Sequence, residues 1–284
     1  LKANYPAEYM TAVLRLAPNH PSGATARVAA AVAECAKLGI PVLPPDVNRS
    51  GVKFEVEELG DGARAIRFGL SIIKNVGEAA VEALVAAREK RPNKRFESLF
   101  DLCCAVDAKS MNKRVLESLI KAGACDELGD RAAMLASMDK VLAAAQAEQK
   151  AAERGQIGLF GEAALAPKID FELEKDVVAI PKKTLLAWEK EHVGVYLTDN
   201  PLKDIQEAAR RQGLSFDAIA ELDEESAGQT VSVLALVTGV RRIVTRTNRS
   251  MAILSVEDLG GSIECVVFPS TFEKFAEYLY EDRA

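Results

Sequence analysis

The chain has 284 residues, 49% of them apolar and 27% charged, with a mean hydropathy of zero and a formal net charge of −6. That length suits about two domains, and the composition excludes wholesale disorder. No apolar run approaches the roughly 20 residues of a membrane span, and no signal peptide opens the chain, so no membrane partner is expected.

Leu1, not Met, opens a sequence that already reads as helix, and the chain is expected to be a piece of something longer. Ala7 to Leu16 carries Tyr9, Val13 and Leu16 on one face. Ala24 to Leu38 carries Val28, Val32, Cys35 and Ala36 and ends at Gly39, as a helix C′ residue should. An extended stretch follows, Ile40 to Asp46. Two runs with period-2 alternation, Phe54/Val56 and Ile66/Phe68, flank Leu59-Gly60-Asp61-Gly62 and predict a β-hairpin. Short helices with tight turns run from Gly69 to Cys125. A long helix is predicted from about Arg131 to Glu153 with Asp130 as N-cap, its apolar stripe passing through Met134, Met138, Val141 and Ala145. Its last turns, Gln146 to Arg154, are charged and Ala-rich and should project into solvent. Residues 155–181 read as a linker, and Pro181 to Gln212 as helix. Thr230 to Phe268 alternates with β-branched residues and reads as three strands, the first from Val231 to Val240. A helix from Thr271 to Tyr280 closes the chain.

The average charge hides local asymmetry. Gly60 to Cys125 holds twelve Lys/Arg against eight acids, Gly239 to Ser250 four Arg and no acid, and Asp204 to Ser226 seven acids against two Arg. Phosphate binding follows the local patch, so the acidic total excludes no nucleic-acid partner. Within the first patch, two short helices are joined by Lys74-Asn75-Val76-Gly77, a helix-hairpin-helix pattern. Its turn offers backbone N–H groups at a helix start to a DNA phosphate, a contact blind to sequence. Asn75 stands where Gly is common, and Asn tolerates the left-handed conformation. Arg88, Lys90, Arg91, Lys94 and Arg95 add five cations close by. A related unit, Asn112 to Ala124, brings Lys113 and Arg114, and two such turns would grip successive phosphates. An ordinary αα-turn with a solvated basic face would carry the same pattern.

Gln156-Ile157-Gly158-Leu159-Phe160 places an apolar pair in the linker where nothing obvious buries it. A glutamine followed by a Leu-Phe pair suits docking into a preformed apolar pocket. Linker packing back on its own domain would serve equally. In the strand segment, Arg241 to Ser250 reads as a basic loop between the first two strands, with Arg242, Arg246 and Arg249 as DNA-binding candidates. Three strands and a helix are how an OB-fold barrel begins, and such loops bind nucleic acid. A generic β-meander is the alternative. Cys35, Cys103, Cys104, Cys125 and Cys265 show no C-x-x-C spacing and predict reduced core thiols in a cytoplasmic protein, with no metal site. His20 and His192 are expected at the surface.

Taken together, Tyr5 to Met10, Gly39 to Ser50, Phe68 to Gly77, Asn112 to Asp126, Trp188 to Glu191 with Gly194 to Leu197, Asn200-Pro201-Leu202 and Met251 to Pro269 resemble the α (polymerase) subunit family of bacterial DNA polymerase III. The resemblance implies an α+β multidomain chain, mostly helical, with tandem helix-hairpin-helix units followed by an incomplete OB-fold β-barrel. It implies the end of a fingers domain at 1–50, a β-hairpin plus DNA-binding region at 51–128, a long helix and linker at 129–178, a helical connector at 179–228 and a truncated OB domain at 229–284. Gln156 to Phe160 would then bind a sliding clamp, and the partners would be duplex and single-stranded DNA, the clamp and other replicase subunits. The parent would be a Mg2+-dependent nucleotidyltransferase. Its palm aspartates have no counterpart here, so the fragment is expected to need no cofactor and to hold no catalytic residue. An independent DNA-binding adaptor, or the same part of a damage-tolerance polymerase, is the competing expectation.

Overall fold

A computed structural model describes residues 2–17, 24–60, 62–91, 93–153, 171–198, 209, 211–216, 228–258 and 262–280. The chain divides into two compact units, Leu1–Thr198 and Asp199–Ala284.

The first unit opens with α1 (Pro6–Leu16) and α2 (Ala24–Lys37). Strands β1 (Val42–Leu43), β2 (Glu55–Glu58) and β3 (Arg64–Arg67) form a sheet in the order β1-β3-β2. The β2–β3 hairpin is antiparallel, with Val56 opposite Ile66. The Phe54 and Phe68 rings that flank it meet edge to face at 4.6 Å. The stretch read only as extended supplies β1, which runs parallel to β3. Its prolines cannot donate, but the Pro41 and Leu43 carbonyls accept from the Ile66 and Phe68 amides.

Four helices then build the core: α3 (Glu78–Glu89), α4 (Leu99–Ala105), α5 (Lys113–Lys121) and α6 (Arg131–Glu153). Ser98 and Asn112 cap α4 and α5 with their side chains. Asp130 caps α6 through the Ala133 amide at 3.0 Å. The end of α6 is not a free projection. The Gln149 side-chain amide donates to the Cys103, Cys104 and Val106 carbonyls, satisfying acceptors that the end of α4 leaves open. The helical segment read from Pro181 to Gln212 is interrupted after its first part. Helix α7 (Lys182–Val193) stops at Gly194, whose φ of 88° lies in the left-handed region.

In the second unit, β4 (Leu236–Val244), β5 (Ser250–Glu257) and β6 (Ser262–Val267) form an antiparallel meander. Helix α8 (Pro269–Phe275) follows, shorter than expected. Ala252, Leu254 and Val256 share one face of the meander and pack with Phe272 and Phe216. Strand β4 begins later than read and runs through Arg241 and Arg242, because its pairing with β5 continues without a break from Gly239, opposite Ser255, to Val244, opposite Ser250. The loop is a tight turn, closed by the Thr245 amide on the Arg249 carbonyl at 2.9 Å, with Asn248 at φ 57°. The chain is α+β and mostly helical. Among the described residues the second sheet is open and no barrel closes. None of the described helices is long and apolar enough to cross a membrane.

Candidate nucleic-acid interface

The hairpin turn is fixed from three sides. Gly69 passes against the Val52–Lys53 backbone, and the Leu70 and Ser71 amides donate to the Gly51 and Val52 carbonyls. Ile73 and Val76 are buried beneath the turn. Between them Asn75 takes φ 67°, the conformation its residue type allows. From the far side, the His192 carbonyl at the end of α7 accepts from the Lys74 amide at 2.9 Å, and Glu191 pairs with Lys74 Nζ at 2.9 Å. Gly77 then caps α3, its carbonyl accepting from the Ala80 and Val81 amides at 3.0 and 3.1 Å, while the Glu78 and Ala79 amides at the helix start have no partner within the helix.

Asn75 also reaches the second helix-hairpin-helix unit. Its Nδ2 donates to Ser118 Oγ at 3.2 Å, and its Oδ1 accepts from Arg114 Nη2 at 2.6 Å. The start of α5 is thereby brought to the first turn. Lys113, next to Arg114, pairs instead with Asp139 on α6 at 2.7 Å.

The basic run after α3 does not form one cationic face. Arg88 is a correction: it is 7% exposed and donates to the Val47 and Ser50 carbonyls, so its charge ties the loop before β2 to α3 rather than facing solvent. Arg91 is held by Asp101 at 2.5 Å, Lys94 by Glu89 at 2.7 Å and Arg95 by Glu127 at 2.9 Å. Glu127 also takes Arg49 at 3.2 Å. Such partly exposed pairs contribute about 0–1 kcal/mol each, so they leave the cations free to exchange partners.

In the second unit of the chain Arg246 is exposed at the β4–β5 turn. Arg249 pairs with Glu273 at 3.1 Å, and the Arg242 guanidinium lies 6.0 Å from the Phe272 ring centre. Gln156 to Phe160 and His20 lie outside the described residues.

Helix α7 carries residues that sequence reasoning missed. His192 is not a surface residue. It is 7% exposed, its Nδ1 has no partner, and burial pushes its pKa below the ordinary value. Glu189 is 4% exposed and accepts from the Leu197 and Thr198 amides and the Thr198 hydroxyl, which fixes the chain after α7. Lys121 of α5 lies over the Trp188 ring at 5.1 Å. The available signal was polar residues at 189 and 192 set among Leu186 and Val193 at helical spacing. The described cysteines are free thiols, and burial pushes Cys103 up to about 12 and Cys35 up to about 11, which keeps them protonated. Among the described residues no group of three or more His, Cys, Asp or Glu is placed to hold a metal.

The chain is similar in sequence to known proteins. A family model described as the helix-hairpin-helix motif matches residues 39–134, the span containing both units. That stretch of the chain is therefore similar to the helix-hairpin-helix motif. DNA polymerase III subunit alpha of Vibrio cholerae is 35% identical over 285 residues, which is 100% of this chain and 24% of that protein. The same subunit of Escherichia coli K12 is 34% identical over 100% of the chain, and that of Bacillus subtilis 36% over 99%, each again matched over 24% of its own length. Over its whole length the chain is similar to DNA polymerase III alpha subunits, and it spans about a quarter of the length of these relatives.

Proposed function

We propose that this chain is the duplex-gripping and clamp-tethering part of a cytoplasmic bacterial replicative polymerase, whose DNA-templated synthesis uses Mg2+ held outside the described residues. The observation that carries the reading is the meeting of Asn75, in the first turn, with Arg114 and Ser118 of α5, inside a chain similar end to end to polymerase subunits. Amides opening α3 and the neighbouring cations would take phosphate oxygens, with no dependence on base identity. Arg91, Lys94 and Arg95 would contribute by exchanging their acid partners for phosphate. Arg242, Arg246 and Arg249 would touch single-stranded template, and Gln156 to Phe160 would engage the clamp in the company of other replicase subunits. The five-part division of the chain is part of the same proposal.

The test is a salt series with duplex DNA, comparing wild type with Lys74→Ala/Lys113→Ala/Arg114→Ala. Every phosphate no longer neutralised should flatten the log–log slope by about 0.9, with equal weakening on unrelated sequences. A slope unchanged by all three substitutions would overturn the duplex assignment.

A further inference from the structure

We propose that Asn75 is a positioning residue of the duplex grip, joining the two helix-hairpin-helix units and holding the Arg114 guanidinium at the first turn. The inference rests on the duplex-binding reading above. It differs from a picture in which each turn grips its own phosphate, because it places a side chain of the second unit at the turn of the first.

The backbone at φ 67° needs a residue that tolerates the left-handed region, and Gly would satisfy it without any side chain. Here both ends of the side-chain amide are used. Nδ2 donates to Ser118 Oγ, on a residue only 2% exposed, so the amide is anchored to a rigid point of α5. That anchoring turns Oδ1 toward Arg114, which donates to it at 2.6 Å. Lys74, Lys113, Lys94 and Arg95 each face a carboxylate, at 2.9, 2.7, 2.7 and 2.9 Å. Arg114 instead rests on a neutral oxygen. A guanidinium has five N–H donors, so others remain to take a phosphate in the two-pronged geometry that suits it, without first giving up a carboxylate. Held in place beforehand, the long side chain loses less freedom on binding.

The experiment measures duplex affinity of the whole chain across a salt series for Asn75→Gly, Arg114→Ala and the double variant, with the thermal midpoint of each. Arg114→Ala should flatten the log–log slope by about 0.9. Asn75→Gly should keep the midpoint and the slope but weaken affinity about two- to tenfold, the cost of ordering one long side chain on binding. In the Arg114→Ala background the same substitution should change nothing. An equal loss in both backgrounds, or none in either, overturns the inference. If Asn75→Gly lowers the midpoint, Asn75→Asp decides: a carboxylate there competes with phosphate for Arg114, so affinity should fall more in the wild-type background than in the Arg114→Ala background, and an equal loss in both is a failure. An Arg114→Ala variant that binds like wild type removes Arg114 from the grip altogether. Weakening with Arg114→Ala but not with Asn75→Gly sinks only the positioning role.

Discussion

A Cβ on Gly69 would stand 2.4 Å from the Lys53 carbonyl carbon, and backbone cannot step aside as a flexible side chain can. The Leu70 and Ser71 amides bond the Gly51 and Val52 carbonyls immediately beside that point, so any shift also breaks the seat of the hairpin turn. Gly69→Ala is therefore expected to destabilise the first unit by about 1–3 kcal/mol, in the range of overpacking. Urea unfolding of the variant measures it, and a midpoint equal to wild type would show that the close approach relaxes freely. His192 makes a second residue-scale prediction. Burial holds its pKa below 6.5, while Glu191 and Glu117 favour the charged ring and Lys121 and Lys74 oppose it. The unfolded chain takes the proton first. Stability from the neutral ring is thus in place above about pH 6.5 and is lost as pH falls through that value toward the folded-state pKa. Thermal midpoints of wild type and His192→Gln should converge as pH drops across this window. Parallel curves would show that the ring does not titrate on unfolding.

At the scale of elements, periodicity reads well wherever one face is buried and one is wet. Helix α6 begins and ends where its stripe of Met134, Met138, Val141 and Ala145 predicts, and the β2–β3 hairpin follows the alternation around Val56 and Ile66. What could not be read is what depends on partners distant in sequence. The two-residue β1 exists only because β3 offers it a ladder, and the cations of the basic run are assigned by acids from as far as Glu127. Arg88 looks like its neighbours until the fold wraps the 47–50 loop around it. The hairpin turn was legible down to the conformation of Asn75, but the α7 residues that brace it lie more than 110 positions downstream, with Lys74 and Glu191 separated by 117. Gln149 is a similar case and yields a test. One side-chain amide closes three carbonyls at the end of α4, so Gln149→Leu should leave them short of donors and cost about 1–3 kcal/mol. The effect should show in the urea midpoint with an unchanged m-value, and a neutral result would mean that water replaces the amide.

For the whole molecule, the charge average of −6 is the least informative number, because opposite patches are separated along the chain. The proposed duplex contacts fall in the unit Leu1–Thr198 and the proposed single-strand contacts in Asp199–Ala284. The proposed tether, Gln156 to Phe160, belongs to neither set, so clamp affinity and DNA affinity should be separable by mutation. Leu159 and Phe160 would each bury an apolar side chain in a clamp pocket, worth roughly 1.5–3 kcal/mol apiece before ordering costs. Removing both should weaken clamp binding by at least about tenfold, since about 1.4 kcal/mol is one decade. Gln156→Ala should cost less, because a neutral hydrogen bond nets only about 1 kcal/mol. Calorimetry of the chain with a bacterial sliding clamp, wild type against Leu159→Ala/Phe160→Ala, measures the first quantity, and duplex titration of the same pair measures the second. The expected outcome is a clamp isotherm that collapses while the duplex curve stays in place. Equal clamp affinities would leave the Leu-Phe pair as linker packing. A duplex curve that moved with the clamp isotherm would show that the pair supports the fold instead of the tether.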